Sequence, residues 1–156
     1  TGRSPELNVA LAKIDGLKAA NPALSVALFG YTEWLMYTKV YFDYFCKYET
    51  YIPTVAYYNA LSPQTKRIEY KYRQWFKEEM QGALPRFALT GYDQASYFCQ
   101  GLHRYGMNFS GSKAENMHTP LQTPLHFRQV ANGGRQNANF MLIHYKNNRT
   151  IESITY

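Results

Sequence analysis

The sequence predicts an α/β fold, a Rossmann-like parallel sheet with flanking helices and a C-terminal antiparallel hairpin region. Three observations predict it. Apolar runs that suit strands covered on both faces alternate with segments of helical period. The order helix then strand occurs three times before a further helix. Beyond residue 106 the pattern changes to short alternating runs separated by turn residues. A chain of 156 residues with 46% hydrophobic content can bury one real core, so a single domain is expected. Residues 1–106 form its α/β core and 107–156 its loop and β-hairpin region.

The elements follow in order. Ser4-Pro5-Glu6 is a helix start, with Ser as N-cap and Pro at the first helical position, and Leu7, Leu11, Ile14 and Leu17 then recur on one face. Asn21-Pro22 ends that helix. The run ALSVALFG over 23–30 is continuously apolar and closed by Gly30, which suits a strand of a parallel sheet. Residues 33–47 are too long for one strand and apolar nearly all round, and so predict a largely buried helix. TYIPTVAYY at 50–58 reads as a strand, demoted toward an edge or an early bend by Pro53.

Ser62-Pro63 repeats the helix-start signal and opens a helix to about Gln81, with Ile68, Tyr72, Trp75, Phe76 and Met80 on one side. Glu69 and Arg73 pair at i,i+4 on the other side. Phe87–Thr90 predicts a strand, Asp93 the N-cap of the next helix, Ala95, Phe98, Cys99 and Leu102 its inward face, and Gly106 its stop. A polar loop over 107–120 precedes LHFRQV, ANFMLIHY and TIESITY, strands joined by ANGGRQN and KNNR. The chain opens on a helix with no strand before it, which points to a piece of something larger.

Composition narrows the function classes. The net charge is +6, and +4 of it lies in residues 103–156, where six basic residues face two acidic ones. No Lys/Arg run exceeds the pair Lys66-Arg67, which argues against a nucleic-acid arm and leaves a weak attraction to anionic surfaces such as an acidic cell-wall polymer. With 15 Tyr, 9 Phe and 2 Trp, some rings must line a groove or an interface. Cys46 and Cys99 fit no metal spacing and are expected as small buried apolar residues. No stretch is apolar for the length of a membrane span, and TGRSPEL lacks a signal peptide's apolar core, so any export signal is expected upstream or already removed.

Two turns carry the candidate chemistry. GYD (91–93) and GYTEW (30–34) each follow a predicted strand and precede a predicted helix, where open α/β sheets collect ligands. GYD is either an anion site made of exposed N–H groups or a capped helix start. In GYTEW, Glu33 either meets a ligand cation such as an ammonium, with Tyr31 and Trp34 as a stacking wall, or is a favourable acid in a helix's first turn. Cys99 and His103 stand at i,i+4 without a third ligand, and His118, His126 and His144 form no zinc pattern. NGGR (132–135) lacks the Lys-Ser/Thr of a phosphate loop. No nucleophile elbow, HExxH motif or paired carboxylates occur, so neither catalysis, cofactor nor metal is expected.

LFGYTEW (28–34), YKYRQWFKEEM (70–80), PRFALTGYDQASYFCQGLHRYG (85–106) and the terminal LHFRQV…GGRQNANFMLIHY together resemble the C-terminal part of type I periplasmic substrate-binding proteins. They resemble the branched-chain amino-acid receptors of ABC transporters, particularly a divergent branch that often carries a LysM, peptidoglycan-binding segment upstream. The resemblance rests on the order of segments along nearly the whole chain. It implies two Rossmann-like lobes with the chain crossing between them several times, closing on a ligand.

It further implies a non-enzymatic, exported receptor fragment for an amino acid, a muropeptide or a similar small polar ligand. Such a protein serves an ABC permease in the periplasm or cell envelope of a Gram-negative bacterium. The family's acid for the ligand ammonium falls at Glu33, and the ligand-binding set is Tyr31, Glu33, Trp34 and Tyr92, bordering one aromatic cleft. A sheet edge left uncovered predicts a homodimer, without membrane insertion. The alternative class is a glycan- or peptidoglycan-associated envelope module, motivated by exposed Tyr and Trp and the basic C-terminal third. An enzyme with its residues divided between lobes is the third.

Overall fold

The computed structural model describes residues 4–60, 62–115 and 117–156. In chain order the elements are α1 (Ser4–Ala20), a 3₁₀ segment (Thr32–Tyr37), α2 (Thr38–Lys47), β1 (Tyr51–Thr54), α3 (Pro63–Phe76), α4 (Phe87–Tyr105), β2 (Phe127–Gln129), β3 (Arg135–Asn137), β4 (Met141–Tyr145) and β5 (Ile151–Thr155). They fall into two compact units. The first runs to Thr54 and takes up Met141–Ile154; the second comprises Val55–Phe140 with Thr155–Tyr156.

Helix and strand are mixed, as expected, but the sheets are small and antiparallel, and the expected parallel Rossmann-like sheet is absent from the described residues. In the first unit the strands lie in the order β1-β4-β5, with β1 antiparallel to β4 in the register Tyr51↔His144 to Thr54↔Met141. The expected strand over 23–30 shrinks to one parallel bridge, Phe29 with Tyr51. Tyr51 N donates to Leu28 O and Gly30 N to Tyr51 O, both at 2.8 Å. The next rung needs an N–H from residue 53, which is proline and has none. The Thr32 hydroxyl instead donates to Pro53 O at 2.7 Å, and the chain turns away into the 3₁₀ segment.

The first unit's core is aromatic. Phe45 is fully buried, stacked on Trp34 at 5.7 Å and edge-on to Tyr145 at 5.2 Å, and Ile52 and Ile143 of the same unit are fully buried too. The segment 33–47 is thus only half buried, because one sheet face and α1 cover one side of it; Met36 and Val40 remain exposed.

At the end of α1, Asp15 Oδ1 accepts hydrogen bonds from Lys47 Nζ and Tyr48 OH. The Lys47 bond first, then the Tyr48 bond, holds the Asp15 carboxyl below the ordinary carboxylate range. A carboxyl whose pKa is lowered by folding contributes stability above its unfolded pKa and loses it as pH falls through the folded value. Asp15→Asn should therefore lower the denaturation midpoint near pH 6, and its gap from the unmodified protein should narrow as pH falls below the ordinary carboxylate value of about 4 and close only below the lowered folded value. A gap that persists at low pH would mean the anchor does not depend on the carboxylate.

In the second unit α3 starts after Ser62 as predicted but stops at Lys77, whose left-handed φ of 59° closes the helix with its N–H on Arg73 O. Met80, beyond the helix, packs with Leu89 and Leu121, and Ile68 and Tyr72 lie against them. Phe87–Thr90 is the first turn of α4 and not a strand, and Asp93 lies inside that helix and is not its N-cap.

The buried Gln122 side chain organises the helix start. Its Oε1 accepts from Arg86 N at 2.9 Å, while Nε2 donates to Arg86 O and Thr90 Oγ1. The inward stripe of α4 is Leu89, Asp93, Tyr97 and Gly101. Gly101 is required there, since a Cβ would stand 2.2 Å from the Phe109 ring. The expected inward face is therefore turned outward: Phe98 and Leu102 are exposed, and so is Cys99, whereas Cys46 is buried as expected. After α4, the loop residues Arg135–Asn137 themselves form β3, antiparallel to β2.

Candidate functional site

The GYTEW turn is built by the bridge at Phe29 and the hydroxyl of Thr32. Gly30 lies under the Trp34 indole, where a Cβ would come within 2.4 Å of the ring. Trp34 N donates to Tyr31 O at 2.9 Å, and the two rings meet edge-on at 6.3 Å. The consequence is a division of labour within one turn. Trp34 is buried against Phe45 and belongs to the core, so it offers no open wall, whereas Tyr31 and Glu33 face solvent. Among the described residues no cation pairs with Glu33. A carboxylate and an exposed aromatic ring carried on one turn are the groups that an ammonium uses.

Tyr92 belongs to the other unit, half exposed on α4 with its ring 6.3 Å from that of His118. Its neighbour Asp93 is completely buried. Oδ1 accepts from Leu121 N at 2.8 Å and Oδ2 from Gln122 N at 2.9 Å and Thr123 N at 2.8 Å; His118 Nε2 lies 3.1 Å from Oδ1. Asp93's acceptor capacity is spent on this loop, and Gly91–Asp93 lie inside α4, where backbone N–H groups are bonded within the helix and not open to an anion, so GYD is a structural element rather than an anion site.

Two further groupings have no local signal in the sequence. In the first unit, Glu49 Oε2 lies 3.1 Å from His144 Nε2, Glu49 Oε1 accepts from Asn147 N, and the Tyr51 ring stacks on the imidazole at 4.0 Å. In the second, an open concavity of about 380 Å³ is lined by Gln100, His103, Arg104 and Met117, with Arg104 Nη1 donating to Met117 Sδ at 2.8 Å. Among the described residues no group of three or more His, Cys, Asp or Glu side chains could hold a metal ion.

In comparisons with family models, with curated proteins and with solved structures, nothing matches the chain.

Proposed function

We propose that the chain is a non-enzymatic ligand-binding protein of the exported substrate-binding-receptor type, taking an amino acid or a similar small polar molecule and serving an ABC permease in the Gram-negative envelope. The observation that carries this reading is the course of the chain. It leaves the first unit after Thr54 and returns at Met141, so that unit is assembled from two separated stretches. One departure and one return is the kind of path that lobe crossing requires, and it supports the reading that the order of the resembling segments implies. Glu33 supplies the charge partner for the ligand ammonium and Tyr31 the ring beside it; both are exposed.

Calorimetric titration with free amino acids and with muropeptides tests the reading. The expected result is saturable binding of an amino acid, weakened roughly tenfold or more by Glu33→Ala as a charge-assisted contact is lost. The thermal midpoint should not move, since Glu33 is exposed. Binding that is indifferent to Glu33→Ala, or no binding of any amino acid, defeats it. A second reading, a glycan- or peptidoglycan-associated module, is favoured by the exposed rings of Tyr70 and Trp75. Saturable muropeptide binding unaffected by Glu33→Ala would select it.

A further inference from the structure

The outward face of α3 does not fit a merely solvated helix. Its inner side, Ile68 and Tyr72, packs on Met80, Leu89 and Leu121. On the other side Arg67, Tyr70, Lys71, Gln74 and Trp75 follow at i, i+3, i+4, i+7 and i+8, which is one continuous stripe of helix surface. Two aromatic rings stand in it, and both are open to solvent, Tyr70 62% and Trp75 71% exposed. Lys66 and Lys77 flank the stripe. Among the described residues none of Lys66, Arg67, Lys71 and Lys77 has a carboxylate partner. Of the acids nearby, Glu69 binds Arg86 and not the expected i,i+4 partner Arg73, and Glu79 binds Arg73 at 2.7 Å, while Glu78 stands exposed beside Lys77, so the cations outnumber the free acids on this side.

We propose that this face of α3 is a peripheral docking surface for an anionic phospholipid bilayer. Charge complementarity selects the occupant. Three cations on a helix of 14 residues and a fourth at its C-cap, none with a carboxylate partner among the described residues, match a surface of closely spaced phosphates. The rings select lipid over a dissolved polyanion, because Tyr and Trp are the side chains whose apolar body and polar edge suit the headgroup layer. Lys and Arg stems lie along the boundary while their charges reach the phosphates. No helix among the described residues is long and apolar enough to cross a membrane, so the contact is adsorption.

The two tryptophans provide the readout, since Trp34 is buried in the first unit's core and Trp75 is exposed. The intact chain is mixed with vesicles of phosphatidylglycerol and phosphatidylcholine, or of phosphatidylcholine alone, and both sedimentation and acrylamide quenching are followed. Partition should be roughly tenfold or more stronger to the anionic vesicles and fall steeply with salt. Trp75 should become protected from quencher, with Trp75→Phe removing that change. Neutralising Lys66, Arg67, Lys71 and Lys77 to Gln should abolish partition, whereas Lys13→Gln with Lys18→Gln on α1 should not.

Failure to sediment with anionic vesicles would overturn the proposal, and so would sedimentation that leaves Trp75 as quenchable as before. Tighter binding to soluble polyglutamate than to vesicles would assign the surface to a dissolved polyanion instead. The quenching arm uses the unmodified protein and so stands even if the fourfold variant misfolds.

Discussion

Asp93→Ala is expected to destabilise the second unit by about 4 kcal/mol or more, because it strips the partner from three backbone N–H groups at once, each costing about 1–3 kcal/mol when left buried and unpaired. Those of Leu121 and Gln122 are buried and that of Thr123 partly so. The same segment carries the Gln122 side chain that holds Arg86 and Thr90 at the start of α4, so loosening it should also fray that helix. Asp93→Asn keeps one carbonyl oxygen and should lose about half as much. Urea denaturation followed by circular dichroism measures the loss, and amide exchange at residues 121–123 locates it. A loss near 1 kcal/mol, the cost of an ordinary helix cap, would mean that the loop keeps its N–H groups satisfied without the carboxylate.

Phe45→Ala should cost the first unit about 3–5 kcal/mol, the range for emptying a buried phenyl site. Phe45 is fully buried and meets three rings, Trp34, Tyr145 and Tyr41, the last at 6.2 Å. Each well-oriented ring pair adds about 0.5–1.5 kcal/mol beyond area burial, which places the loss toward the upper end. Phe45→Leu keeps most of the volume and should cost about 1.5 kcal/mol. Because Trp34 stacks on the removed ring, its fluorescence should shift to the red and its near-ultraviolet dichroism weaken as the cavity opens. Unchanged Trp34 spectra together with a loss under about 1 kcal/mol would show that the neighbours collapse into the site.

Features with local causes were legible in the sequence. Ser62-Pro63 starts α3 and Asn21-Pro22 ends α1 because proline acts on its own residue and its immediate neighbours. KNNR separates β4 from β5, and Pro53 indeed lies in an edge strand. The placement of Tyr31 and Glu33 in one exposed turn is local in the same sense.

What the tertiary structure decided depends on partners distant in the chain. Residues 23–30 carry a strand's apolarity, but a ladder needs donors from its neighbour, and Pro53 withholds the next one. Phe87–Thr90 is helical because Gln122 satisfies Arg86 and Thr90 from 36 and 32 residues away. The inward face of α4 was fixed by the fit of Phe109 over Gly101 and by Asp93's grip on residues 121–123, which turned Phe98, Cys99 and Leu102 outward. Trp34 left the candidate site for the core because Phe45 offered it a ring to stack on. His144 found Glu49 across 95 residues, a pairing that no spacing encodes. By itself the sequence determined where elements begin and end wherever proline or a turn residue acts on its own backbone; which face is buried and which polar group meets which were decided by long-range packing and hydrogen-bond satisfaction.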